Sequence, residues 1–236
     1  MLKSHLLVIP AYNEEKHIAD VLRDVRESGF PADILVVNDG SADETSAIAR
    51  REGVMVVDLP VNIGYGGAVQ TGLRFATEFG YEFVVTLDGD GQHSPSSVNR
   101  LIETMEREKA DVVIGSRFIE GTYRMGIFRK IGVWLFSRIA FLCTGTNFSD
   151  PTSGFQLLNR RIFSYLSEGE NYPLDYPDAN MIIALHKMKF KLAEAPVTMK
   201  EKQGKSMHQG VRPVYYVLRM FLAIIIIMLR KERKQP

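Results

Sequence analysis

Short, mostly apolar runs recur along the chain at Leu6–Ile9, Ile34–Val37, Val54–Val57, Phe83–Leu87 and Val112–Ile114, and stretches with helical spacing separate them. Runs of this length, bounded by turn residues and alternating with helices, predict an α/β fold with a mainly parallel sheet covered on both faces. Ile18, Val21, Leu22 and Val25 fall at i, i+3, i+4 and i+7, so the segment from Glu14 to Ser28 is expected to lay one apolar stripe on the sheet. Ser41 with Glu44 three residues later has the form of a capping box and should open a helix reaching about Arg51. Gly67–Phe79 and Ser96–Arg107 supply two further helices, and Phe155–Leu158 is a possible later strand.

Beyond Gly115 the alternation breaks down. Ile131–Cys143 is almost wholly apolar apart from Ser137 and Arg138, which fits a core helix or a membrane-facing one. Met220–Leu229 is uninterrupted apolar sequence, preceded by Tyr215, Tyr216 and Arg219 and followed by Arg230, Lys231, Arg233 and Lys234. Ten residues reach only about 15 Å as a helix, roughly half a bilayer's hydrocarbon thickness. The preferred reading is an interfacial or shallowly inserted helix anchored by tyrosines and a basic cluster; the alternative is a helix buried against another subunit. The chain is thus divided into a domain over 1–210 and a membrane-associated or oligomerisation helix over 211–236.

Composition narrows the partners. The 29 Lys and Arg residues nearly cancel the 28 Asp and Glu residues, so nothing global points to nucleic acid. Cys143 is the sole cysteine, which forbids an internal disulfide, and only Met1–Ser4 precede the first strand, leaving no room for a secretory signal. From both observations a cytoplasmic site is expected.

The chemistry gathers behind the strands. In an open parallel sheet ligands bind at the carboxyl ends of the strands, and there the chain carries Pro10-Ala11-Tyr12-Asn13-Glu14, Asn38-Asp39-Gly40-Ser41, Asp88-Gly89-Asp90-Gly91-Gln92-His93 and Gly115-Ser116-Arg117. Two carboxylates separated by one glycine form an oxygen-rich site suited to a hard divalent cation that also holds a diphosphate. Pro10 should stop the first strand's hydrogen bonding, with Asn13 or Glu14 capping the next helix. Asp39 is either a turn former before Gly40 or a carboxylate that accepts a hydrogen bond from a base. A calcium loop fails at two positions, His93 and Asn99; Gly64–Val69 lacks the last glycine of a dinucleotide fingerprint; no Walker sequence occurs.

Together with Asn62-Ile63-Gly64 and Asp150-Pro151-Thr152-Ser153-Gly154-Phe155, these motifs resemble the family 2 inverting glycosyltransferases of GT-A fold, most closely the polyprenyl-phosphate (dolichyl-phosphate) mannosyl- and glucosyltransferases, over residues 5 to about 208. The resemblance implies a nucleotide-diphospho-sugar transferase with a Rossmann-like sheet. It implies that Pro10, Ala11, Tyr12, Glu14, Asp39 and Gly64 hold the donor, with Asp88 near ribose or diphosphate. Asp90 with Gln92, and Asp88 beside them, would bind Mg2+ or Mn2+, and Arg117 a phosphate. Where relatives carry an arginine near a later glycine this chain reads Lys200-Glu201-Lys202-Gln203-Gly204-Lys205-Ser206, so Lys202, with Lys205 second, is assigned to the diphosphate.

Asp150 matches the carboxylate assigned as base in inverting relatives. A phosphate acceptor is already anionic and needs no base, whereas a sugar hydroxyl does. Arg117, Arg124, Arg129, Lys130 and Arg138 flank the apolar segment from Ile131; Arg117 and Arg129 lead as acceptor-phosphate ligands, and Trp134 reads as a core or interface anchor. The expected activity is metal-dependent transfer of one hexose, from a UDP-glucose or GDP-mannose type of donor, to polyprenyl phosphate on the cytoplasmic side of the membrane. The protein would be peripheral or shallowly inserted, as a homo-oligomer or with an integral membrane partner. Transfer to a glycan or protein hydroxyl, and a non-catalytic nucleotide-sugar-binding subunit, are the alternatives. A processive synthase is disfavoured because such enzymes carry a Gln-x-x-Arg-Trp element and extensive membrane spans, whereas Val133 precedes Trp134 here, and a nucleotidyltransferase because Pro10–Glu15 is no glycine-rich basic loop.

Overall fold

The computed structural model describes residues 3–91, 93–120, 127–169, 171–173, 179–198 and 212–229. Strands β1 (Lys3–Ala11), β2 (Asp33–Asn38), β3 (Met55–Asp58), β4 (Tyr81–Thr86), β5 (Val112–Ser116), β6 (Gln156–Asn159) and β7 (Leu192–Pro196) form one sheet in the order β3-β2-β1-β4-β6-β5-β7. Among the described strands only β6 runs antiparallel, paired between β4 and β5. The ends of β1, β2, β4 and β5 therefore open on the same edge of the sheet.

The helices are α1 (Ile18–Glu27), α2 (Thr45–Arg51), α3 (Tyr65–Glu78), α4 (Val98–Glu108), α5 (Ile127–Thr144), α6 (Arg160–Ser167), α7 (Ala179–Lys187) and α8 (Arg212–Leu229). Alternate strand residues divide the core between two faces, as the pleat requires. Leu6, Val8, Val84, Val112 and Leu158 pack with α3, α6 and α7, whereas Leu7, Ile9, Val85, Val113 and Leu157 pack with α1 and α4. The stripe Ile18, Val21, Leu22, Val25 is the buried face of α1, as its spacing predicts.

Several expectations need correcting. Pro10 does not end β1: it stays in register with Val37, and Ala11 accepts the Asp39 N–H. What ends is pairing toward β4, whose last contact is the Leu87 N–H on the Val8 carbonyl. In a parallel ladder the N–H of residue 10 would point to the same side as the groups of residue 8, so the missing proline donor faces the β4 turn and costs the β2 ladder nothing. α1 begins at Ile18 rather than Glu14. The Ser41/Glu44 box does not form, because Ser41 Oγ accepts from Asn13 and it is Asp43 Oδ1 that takes the Thr45 N–H. Trp134 is 61% exposed, so it is no core residue. β7, α6 and α7 lack a sequence expectation.

One face of α8 is covered. Ile224 clusters with Phe136, Ala179 and Ile183, and Lys187 Nζ on α7 donates to the carbonyls of Ile227 and Met228, satisfying acceptors in its last turn. Leu222, Ile225, Ile226 and Leu229 are exposed. Among the described residues no helix is long and apolar enough to cross a membrane.

α3 lies tight on β1. A Cβ at Gly72 would stand 2.3 Å from Val8 Cγ1, and a β-branched neighbour cannot swing away. Gly72→Ala should cost about 1–3 kcal/mol of stability, read as a lower urea midpoint, and Val8→Ala in the same chain should return part of it. An unchanged midpoint for the single variant would show that the helix is not seated as described.

Candidate active site

The loops after β1 and β2 are sewn together. Asn13, in the left-handed region at φ 55°, accepts the Ala42 N–H on its Oδ1 (2.9 Å), and its own N–H reaches Ser41 Oγ (2.9 Å). The Glu14 N–H donates to Thr45 Oγ1 at 2.8 Å and the Glu15 N–H to Asp43 Oδ2 at 3.1 Å. Short polar side chains thus replace helix and ladder hydrogen bonds and fix the two loops against each other. Pro10 and Ala11 are buried behind this seam, Glu14 is half-buried, and the Tyr12 ring stands half exposed at its edge.

Asp39 is buried and straps a third loop. Its Oδ1 accepts the Ile63 N–H at 2.7 Å and its Oδ2 the Gly64 N–H at 3.0 Å. Gly40 adopts φ +67° directly beneath, where a Cβ would lie 2.7 Å from Asn62 N, so only glycine lets the strap close. The sequence alternatives for Asp39 omitted this role.

The acidic turn after β4 sits beside that strap. Gly89 approaches the Pro10 carbonyl so closely that a Cβ would be 3.0 Å from it. Asp88 Oδ1 accepts from the Tyr65 hydroxyl (3.0 Å), and Oδ2 lies 3.0 Å from Nε2 of buried His93. Burial alone would raise the Asp88 carboxyl, but the His93 hydrogen bond and charge, the Tyr65 hydroxyl and the Arg117 charge outweigh it and hold it below the usual carboxylate range. His93 Nδ1 is buried without a hydrogen-bond partner among the described residues. Asp90 is partly buried on the same turn. Gln92, Arg124, Lys202 and Lys205 lie outside the described residues, as does the side chain of Arg129.

At the end of β5 stands a buried ion pair. Arg117 Nε and Nη2 each donate at 2.6 Å to the two oxygens of Asp150, whose side chain has no exposed surface. The Arg117 N–H adds a bond to Oδ2 and Nη2 a bond to Thr152 Oγ1, both at 3.1 Å. The guanidinium fork that the resemblance assigns to a phosphate is thus spent on Asp150. Behind the pair, Glu194 of β7 accepts the Ser149 N–H (2.8 Å), the Ser149 hydroxyl (3.0 Å) and the Asp150 N–H (2.9 Å). Burial pushes the Glu194 carboxyl up, the Asp150 charge adds to that, and the hydrogen bonds offset only part.

The structure therefore brings Pro10, Ala11, Tyr12, Glu14, Asp39, Gly64, Asp88, Asp90, Arg117 and Asp150 to one edge of the sheet. Sequence reasoning missed Tyr65, His93, Gly154 and Glu194. His93 and Gly154 lay inside quoted motifs, whereas an acid on a short edge strand carries no local signal.

The chain matches the family described as glycosyl transferase family 2 over residues 6–166, which spans all the loops just described except the edge strand. It belongs to glycosyltransferase family 2. This glycosyltransferase is 30% identical over 210 residues to the UDP-N-acetylglucosamine–dolichyl-phosphate N-acetylglucosaminyltransferase of Methanococcus voltae, covering 81% of this chain and 83% of the relative. It is 30% identical over 219 residues to the undecaprenyl-phosphate mannosyltransferase of Micrococcus luteus, covering 87% of each. Its fold is similar to that of glucosyl-3-phosphoglycerate synthase from Mycobacterium tuberculosis, solved with Mn2+, UDP-glucose and phosphoglyceric acid: TM-score 0.72 at 19% identity, over 98% of this chain and 81% of the other. The sheet with its helices is thus the GT-A-like fold that the motifs imply.

Glu194 makes the stability of this transferase depend on pH. Its folded pKa is raised above the ordinary value of about 4.5, so its favourable term is complete below that value and is lost as pH rises through the raised pKa. The stability difference between the parent and Glu194→Gln, read from urea midpoints, should shrink steadily from pH 4.5 toward neutrality. A difference that grows over that range would contradict the assignment.

Proposed function

We propose that this glycosyltransferase moves one hexose from a nucleoside-diphosphate sugar to a polyprenyl phosphate at the cytoplasmic face of the cell membrane, with inversion at the anomeric carbon. The observation that carries the choice of acceptor is the burial of Asp150. A general base must touch the proton it removes, and a carboxylate without exposed surface, both oxygens bonded to Arg117, does not present itself to an acceptor hydroxyl. A phosphate oxygen needs no such base. It attacks C1 as the bond from C1 to the donor diphosphate breaks, giving glycosyl polyprenyl phosphate and nucleoside diphosphate. The relatives named for dolichyl phosphate and undecaprenyl phosphate support the same acceptor.

On this reading the sewn loops with Pro10, Ala11, Tyr12, Glu14, Asp39 and Gly64 bind the nucleoside of a UDP or GDP sugar, and Asp88 orients ribose or diphosphate. The acidic turn fits Mg2+ or Mn2+: Asp88 and Asp90 offer hard oxygen donors on one turn. No group of three His, Cys, Asp or Glu gathers among the described residues, in keeping with a cation held by one or two carboxylates plus substrate phosphates. Asp90, Gln92 and Asp88 would hold it, and when bound it offsets the charge that builds on the leaving diphosphate. Lys202 and Lys205 add positive charge to the diphosphate, and Arg129 to the acceptor phosphate, while Arg117 contributes its charge from its place beside Asp150.

Residues 1–210 then act as the catalytic domain, and 211–236 as its seat on the membrane or on a second subunit. The exposed apolar residues of α5 and α8, among them Trp134, Leu142, Leu222 and Ile226, suit the headgroup boundary, where an apolar face gains by leaving water.

Incubation with UDP-glucose, UDP-N-acetylglucosamine or GDP-mannose and undecaprenyl or dolichyl phosphate should yield a lipid-linked sugar phosphate, detected by mass. Product found only with hydroxyl acceptors would refute the proposal. Leu222→Glu with Ile226→Glu should reduce cosedimentation with anionic lipid vesicles several-fold and leave transfer to a short, water-soluble polyprenyl phosphate intact; equal vesicle binding would remove α8 from the membrane surface.

A further inference from the structure

Asp88 is reached from the start of α3, from its own turn and from the loop that enters β6, and this gives Tyr65 a purpose beyond opening α3. The Asp39 carboxylate holds the amides of Ile63 and Gly64, the two residues that lead into the helix. Tyr65 follows at once, 38% exposed as a residue and with its hydroxyl 3.0 Å from Asp88 Oδ1. From the other side His93 Nε2 stands at Oδ2. Gly154 closes the arrangement, for a Cβ there would lie 2.5 Å from the Tyr65 hydroxyl and 2.8 Å from Asp88 Oδ1. No residue with a side chain fits at 154 while the tyrosine and the carboxylate are joined.

We propose that Tyr65 is a positioning residue for donor binding: its hydroxyl locks the Asp88 rotamer and transmits to it the position of the Asp39 strap, with Gly154 kept bare to admit the contact. The inference rests on the donor reading of this site and adds residues to it. Two orientations of a carboxylate on a glycine-rich turn differ little in energy unless something selects one, and hydrogen bonds on both oxygens make that selection before the donor arrives. The gain lies in preorganisation, so it is read in binding and not only in turnover.

The test is calorimetric titration of UDP and of GDP, each with Mn2+, into the full chain and into Tyr65→Phe, Asp88→Asn and the double variant. Tyr65→Phe should weaken binding of the preferred nucleotide by about tenfold, the size expected for a hydrogen bond to a charged group. Its melting temperature should fall by no more than a few degrees, so the folded fraction during the titration is kept. In the Asp88→Asn background the same change should alter affinity by less than about twofold, because the partner through which Tyr65 acts is gone. Gly154→Ala should weaken binding as well, with Tyr65→Phe adding little on top of it. Unchanged affinity in Tyr65→Phe, or an undiminished tenfold loss in the Asp88→Asn background, would overturn the proposal. A parent chain that binds neither nucleotide would bring down the donor reading itself, which is a different result from a parent that binds and a Tyr65→Phe variant that binds equally well.

Discussion

The Arg117–Asp150 ion pair is the constraint on which the site's arrangement depends. Two charges removed from water carry a desolvation cost that only close, fully bonded geometry offsets, and removing one partner leaves the other uncompensated, at roughly 3–5 kcal/mol. Here both oxygens of Asp150 meet the guanidinium at 2.6 Å, and Glu194 fixes the backbone of Ser149 and Asp150 from behind. The pair ties the end of β5 to the loop that enters β6, and through Glu194 to the edge strand β7. That loop also carries Gly154 to Asp88. The position of the acidic turn relative to the loops after β1 and β2 is therefore set from the β5–β6–β7 side of the sheet as much as from the β1–β2 side.

The chemistry follows from that arrangement. On our reading donor and metal lie at the carboxyl edge of the sheet, where this chain joins its loops by seams of short polar side chains. On the same reading Asp150, the carboxylate that would serve a hydroxyl acceptor, acts as a structural counter-ion to Arg117. Such an enzyme would depend on its acceptor to arrive ionised, as a lipid phosphate does. The exposed apolar faces of α5 and α8 lie on helices packed against α7, so the same α-helical layer that closes one side of the core meets the lipid on our reading.

Much of this was legible in the chain. Runs such as Leu6–Ile9 and Val112–Ile114 are buried on both faces of a parallel sheet and so are continuous in sequence, and the glycine, proline and acid punctuation behind them marks the ligand edge. What was not legible depends on partners distant in sequence. Pro10 was read as a strand stop because its missing donor is local, while the side it faces is decided by β4. Ser41 lost its cap role to Asn13, a residue of another loop. β7 is a short edge strand containing an acid and ending in proline, a pattern that reads as loop until β5 lies beside it. Tyr65 and Glu194 act across 23 and 44 or 45 positions of sequence respectively, separations at which no periodicity carries information.

The claim that the acceptor supplies its own nucleophilic charge is tested most directly by the pH dependence of kcat/KM with two acceptors, a polyprenyl phosphate and its phosphonate analogue, whose second ionisation lies higher. A phosphate monoester loses its second proton near pH ~6. The account predicts an acid limb that tracks the acceptor, moving upward with the phosphonate. A limb that stays at one pH for both acceptors belongs to a base on the enzyme and would contradict it.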